Sequence, residues 1–154
     1  MNDVGQFDFA TKLLRTAGWF EGRDVAEKVV EWRARLSLDG FEPFVAAERG
    51  LREFGGIRIE QRGPGINLAR QSFEIDPLLG LGERDRFEYF EKILGVALYP
   101  FGECENGASF LAIASDGRVF ALAEEIDLAG GTAKEAILNL IRGLRGSSVE
   151  GITD

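Results

Sequence analysis

The alternation of hydrophobic and polar positions is most informative between Leu98 and Ala123, LYPFGECENGASFLAIASDGRVFALA. Two runs rich in strand formers, Ser109 to Ala114 and Arg118 to Ala123, flank Asp116-Gly117. That dipeptide predicts a β-hairpin with a two-residue type I′ turn, because both residues tolerate positive φ. Alternation does not separate a core face from a wet one here. Phe110, Ala112 and Ala114 are apolar, as are Leu111 and Ile113, and the return strand repeats this with Val119/Ala121 and Phe120/Leu122. A hairpin apolar on both sides belongs inside a sheet covered on both faces.

Before this stretch helical spacing dominates. Asp8 to Ala17 places Phe9, Leu13, Leu14 and Ala17 on one stripe, with Gly18 positioned to end the helix in the left-handed conformation. Asp24 and Glu27 read as a capping box for a second helix running to about Leu38, with Val25, Val29, Trp32 and Leu36 inward. Pro43 suits the first turn of a third, whose inner face is Phe44, Ala47, Leu51 and Phe54 and whose stop is Gly55-Gly56. Ile57 and Ile59 alternate with Arg58 and Glu60, which predicts a strand from Ile57 to Gln61 with one wet face. Gly63-Pro64-Gly65 is a turn without the lysine or spacing of a phosphate loop, and Gly80-Leu81-Gly82 is too short for a dinucleotide fingerprint.

Leu68 to Ile75 is a further strand candidate, closed by Asp76-Pro77, and Leu78 to Arg84 reads as loop. Asp85 with Glu88 opens a fourth helix through Phe87, Phe90, Ile93 and Leu94, ended by Gly95. Ala97 to Glu103 is a strand interrupted near Pro100, since proline cannot donate to a ladder. Beyond the hairpin, Glu124 to Asp127 carries the chain away and is itself a candidate for a short further strand. Thr132 and Glu135 then make a capping box for a last helix with Ala136, Ile137, Leu140 and Ile141 inward and Gly143 at its end. Residues 1–145 are expected to form one domain, and residues 146–154, GSSVEGITD, a flexible tail.

Composition sharpens this picture. A chain of 154 residues with 45% hydrophobic content and sixteen aromatics (12 Phe, 2 Tyr, 2 Trp) is long and apolar enough for a core of its own. The net charge is −8 and uneven: residues 1–76 carry 13 acidic and 11 basic side chains, residues 77–154 carry 13 and 7. Such acidity opposes binding to phosphate backbones and favours a basic partner or simple solubility. No apolar run is long enough to span a bilayer, and MNDVGQFDF is acidic where a secretion signal is basic, so the expected location is the cytoplasm.

Candidate chemistry is sparse. There is no histidine, which removes Ser-His-Asp and Cys-His catalysis and histidine metal sites. The single cysteine, Cys104, sits between Glu103 and Glu105, whose charges oppose thiolate formation, so it reads as a small, half-buried hydrophobe. Glu103 with Glu105, and Glu125 with Asp127, would share a face if each pair lies on one strand, and pairs like these could serve glycoside hydrolysis or a hard-cation site. Among 26 acidic residues such pairs arise by chance, so neither a metal nor a cofactor is expected.

A resemblance does emerge along the chain. Ala17-Gly18-Trp19, Arg23, Trp32, LREFGG at Leu51 to Gly56, Gly63-Pro64-Gly65, Asp76-Pro77, LYPFGE at Leu98 to Glu103, FLAIASDGRVFAL at Phe110 to Leu122 and the closing EAILNLIRG occur in an order that resembles the third SUKH family of immunity proteins. The likeness runs from about Leu13 to Gly143. It implies an α+β fold with helices around a central, mostly antiparallel sheet, a helical N-terminal half and a C-terminal helix. It also implies a binding protein without catalysis, which the composition makes acidic and places by expectation in the cytoplasm. Its partner would be the cognate toxin domain of a polymorphic toxin system in bacterial competition, neutralised by stoichiometric binding; joined to the acidic C-terminal half, which suits a basic cleft, this points to a nuclease or another nucleic-acid-directed toxin. Two other readings stay open: a binding module of the same fold with an endogenous partner, and a carboxylate-based enzyme. The family's shared residues are fold residues, so the binding surface is argued from charge. Glu103, Glu105, Glu124, Glu125 and Asp127 cluster at strand exits, where a sheet presents carboxylates in a fixed array.

Overall fold

Ser109–Ala114 and Val119–Leu122 pair as adjacent antiparallel strands in a computed structural model that describes residues 3–146 and 148–149. In chain order the elements are α1 (Asp3–Thr16), α2 (Ala26–Leu38), α3 (Val45–Phe54), β1 (Arg58–Ile59), β2 (Phe73–Glu74), α4 (Arg84–Leu94) and β3 (Leu98–Cys104). The hairpin follows as β4 and β5, then β6 (Ile126–Gly130), α5 (Ala133–Arg142) and β7 (Ser148–Val149). All seven strands join one antiparallel sheet in the order of the sequence. This is an α+β fold, as the patterning and the resemblance both imply.

Both faces of the hairpin are covered. Leu111 and Ile113 point to the side of α3 and α5. A Cβ added to Gly50 of α3 would lie 3.1 Å from Ile113 Cδ1 and 3.4 Å from Ala133, so helix backbone comes close to the sheet here. α1 packs on α5 behind them. On the opposite face Phe110 meets Phe87 of α4 edge-on, with ring centroids 5.8 Å apart. Pro100, beside Ala112 on that same face, packs against Gly80 of a 3₁₀ helix at Pro77–Gly80. Phe87, Phe101 and Phe120 are fully buried, each worth about 1.5–3 kcal/mol of transfer free energy.

Several helix ends form as patterned. Thr132 Oγ1 accepts from the Glu135 N–H at 3.1 Å, and Gly95 and Gly143 close their helices at φ +69° and +65°. Pro100 coincides with a register shift between Pro100 and Gly102. The differences are local. At the hairpin, the Gly117 N–H donates to Ala114 O and the Ala114 N–H to Arg118 O, so the loop has three residues and only Gly117 is at positive φ, +95°. The two-residue type I′ turn is therefore not formed: Ser115 joins the loop, Gly117 alone supplies the left-handed residue, and the Asp116 carboxylate accepts from the Arg118 N–H and guanidinium. Asp24 does not cap α2 from an N-cap position. Arg52 holds its carboxylate with two bonds of 3.0 and 2.7 Å, and the helix starts after Val25. Likewise Asp85 falls inside the first turn of α4, which begins after Glu83, and Pro43 precedes the cap residue of α3.

The strand expected at Leu68 to Ile75 shrinks to Phe73–Glu74. Upstream, the N–H groups of Ile66, Asn67 and Leu68 donate to Arg142 O and Gly143 O at the end of α5, so this segment binds a helix terminus and not the sheet. In α1, Ala10 and Leu14 are buried while Phe9 lies outside under the Arg70 guanidinium, 5.1 Å from its ring centroid. Of the expected tail, Ser148–Val149 pair with β6; residues 147 and 150–154 lie outside the described residues.

Gly117→Val places a β-branched side chain at φ +95° and is expected to cost about 1–3 kcal/mol. Thermal unfolding checks this; an unchanged melting temperature would contradict the turn geometry.

Candidate protein-binding site

Strand register decides whether the five acidic candidates come together. Glu103 of β3 is paired with Phe110, Phe110 with Leu122, and Leu122 with Ile126 of β6. Three strand spacings separate the ends of this row, roughly 14 Å. Glu103 and Glu105 thus leave the sheet at the same end as Glu124, Glu125 and Asp127.

Their environments differ. Glu105 stands at φ +48°, followed by Asn106 at +52°. Its N–H donates to Ser72 O at 2.8 Å and its carboxylate accepts from the Ser72 N–H at 2.7 Å, so the strained turn is clamped to the strand beside it. Left-handed backbone at a non-glycine residue costs on the order of 1–3 kcal/mol and persists where neighbours enforce it. Asp127 is half-buried: Arg145 reaches it at 3.2 Å and Ser148 Oγ donates to it at 2.6 Å. The Arg145 guanidinium also donates to Gln71 Oε1 at 2.9 Å, tying α5's exit to the loop before β2. Asp127 is therefore largely neutralised within the fold. Glu124 and Glu125 are exposed in the connection from β5 to β6.

Glu103 faces a residue the patterning did not include. Glu74 of β2 is its cross-strand partner, and like charges directly opposite repel. Burial first, then the charges of Glu74 and Asp76, hold the Glu103 carboxyl above its ordinary range. Beside this pair an open cleft of about 420 Å³ is lined by Arg58, Glu60, Ser72, Glu74, Glu103 and Asn106, with Arg58 ion-paired to Glu60 at 3.0 Å. Glu74 meets Glu103 through strand pairing, and Arg145 meets Asp127 by a side-chain contact across 18 residues. Sequence spacing gives no sign of either.

Cys104 is fully buried, more so than the half-buried position expected of it. Burial pushes its thiol up to about 11, against the opposing pull of the Arg145 charge, so no thiolate is available near neutral pH. Among the described residues no group of three or more His, Cys, Asp or Glu side chains is placed to hold a metal ion. No described helix is long and apolar enough to cross a membrane.

An antiparallel sheet of seven strands with helices on both faces defines the fold as α+β. The chain belongs to the SUKH-3 immunity protein family, whose model matches residues 8–143. Membership implies an immunity function and a protein toxin as the partner bound. No curated protein and no solved structure gives a match.

Two expectations follow for this end of the sheet. A carboxyl whose folded pKa is raised costs stability when ionised, and the cost disappears as pH falls through that pKa. Glu103→Gln should therefore melt above the parent at pH 7, with the difference closing as pH falls toward the ordinary carboxylate range; a lower melting temperature at pH 7 would contradict the repulsion. Cys104 should react with a disulfide reagent such as DTNB only after denaturation, and rapid labelling of the native chain would contradict its burial.

Proposed function

We propose that this chain is the immunity partner of a polymorphic toxin in bacterial competition, acting in the cytoplasm by binding the toxin domain one to one. The toxin in this reading is a nuclease or another nucleic-acid-directed enzyme. What carries the proposal, beyond family membership, is the row of carboxylates at the end of the sheet: Glu103, Glu105, Glu124 and Glu125, with Asp127 behind them. A nuclease presents a basic cleft shaped for phosphates, and carboxylates on a rigid sheet occupy such a cleft at little entropic cost. The repulsion between Glu103 and Glu74 supports the same direction. Charges that destabilise the free chain gain when a cation arrives, so part of the binding energy is relief of repulsion already present.

Steering of this kind acts first on association rate. Complex formation should slow as salt rises from low to physiological strength.

The gene beside this one identifies the toxin to use. Co-expression should rescue cells from that toxin, and the purified pair should form a saturable one-to-one complex. Glu124→Lys and Glu125→Lys are expected to weaken it roughly tenfold, about 1.4 kcal/mol, while Glu31→Lys on α2 leaves it near the parent value. Equal effects at all three positions would place the interface elsewhere. Absence of a toxin gene and of any rescue would remove the toxin from the account.

A further inference from the structure

Next to the acidic end, a groove of about 560 Å³ runs between α4 and the β6–β7 edge. Phe87 anchors α4 over Phe110 of β4, whereas Ile126 of β6 lies two strands further on, roughly 10 Å away. α4 therefore leaves the last strands only partly covered. Phe90, Ile93, Ile126 and Val149 line the gap. On its lip Tyr89 is 60% exposed, with its ring against Phe90 at 5.5 Å between centroids. An exposed tyrosine beside an apolar-walled groove is the kind of side chain that anchors interfaces once a partner excludes water.

The rim supplies the second half of the argument. Glu124 and Glu125 border the groove, and the only bond either carboxylate accepts among the described residues is a 3.3 Å contact from Ser148 Oγ to Glu125. Arg86, on the opposite bank, is drawn over the Phe110 ring at 5.5 Å. The groove thus pairs an apolar floor with two carboxylates that have no cationic partner among the described residues. A second copy of this chain would bring the same acidic rim and be repelled by it.

We propose that this groove docks a segment of the toxin domain that carries a large apolar side chain with a lysine or arginine within about three residues of it. The apolar side chain enters between Tyr89 and Ile126, and the cation meets Glu124 and Glu125. The volume suits one or two side chains and lies within the range of ligand pockets, about 300–1,000 Å³. The identity of the occupant rests on the toxin reading above; the chemistry of the groove does not.

The test selects a random 12-residue phage-displayed peptide library on the immobilised full chain and measures the enriched peptides, synthesised, by titration calorimetry. Enriched peptides should place a basic residue within three positions of Leu, Ile, Phe or Trp. Tyr89→Ala, and separately Glu124→Lys with Glu125→Lys, should each weaken them tenfold or more at unchanged melting temperature, and Val30→Ser on α2 should not. Failure to enrich any peptide, enrichment without that pairing, or full affinity in Tyr89→Ala would overturn the groove. A dimer abolished by Tyr89→Ala would also overturn it, in favour of a second copy. The adjacent-gene toxin separates the two claims. Toxin bound equally well by Tyr89→Ala sinks the groove and leaves the toxin reading standing, while peptides seated in the groove of a chain that binds no toxin overturn the toxin as occupant.

Discussion

Everything in this molecule depends on burying both faces of the β4–β5 hairpin. Leu111, Ile113, Val119 and Ala121 on one side and Ala112, Phe120 and Leu122 on the other are removed from water, which no single layer of helices accomplishes. The chain therefore has to place α3, α5 and α1 against one face and α4 with the 3₁₀ helix against the other. Burial at roughly 25 cal/mol per Å² over so many apolar side chains dominates the terms that favour folding. Exposed ion pairs such as Arg52–Asp24 and Lys92–Glu88 contribute little beside it.

A sheet clamped in this way makes its strand ends stiff, and the binding argument needs that stiffness. The turn at Glu105 and Asn106 sits in the left-handed region because Ser72 holds Glu105 through both its backbone and its carboxylate. The connection through Glu124 and Glu125 is fixed by pairing on either side, with Leu122 opposite Ile126. Charges carried on such turns keep their spacing in the free chain, so little order has to be created when a partner arrives.

Much of the fold was legible because the signals were local. Thr132 with Glu135, Gly95, Gly143, the Pro100 interruption and the two-sided hairpin each depend on residues close in sequence. The hairpin loop and the starts of α3 and α4 differ by only a residue or two, whereas the larger failures came where a distant group displaced a local one. Arg52 takes the Asp24 carboxylate across 28 residues, and the carbonyls at the end of α5 take the N–H groups of Ile66 to Leu68. At the site, the strand exits were readable as places for carboxylates. That Asp127 is spent on Arg145, or that Glu74 confronts Glu103, follows from pairings the sequence does not display. The α4 groove was hidden for a similar reason: Ile93 fits the inner stripe of its helix, and only the distance from Phe110 to β6 leaves it beside an opening.

The central claim is that the end of the sheet carrying Glu103, Glu105, Glu124 and Glu125 is the surface that meets the partner. Amide hydrogen exchange, compared between the free chain and its complex with a toxin domain that it binds, tests this most directly. The account predicts slow exchange in β4 and β5 in both states, with new protection in the complex over residues 103–108 and 123–127 and along α4. New protection confined to the outer face of α2, with the sheet end unchanged, would contradict it.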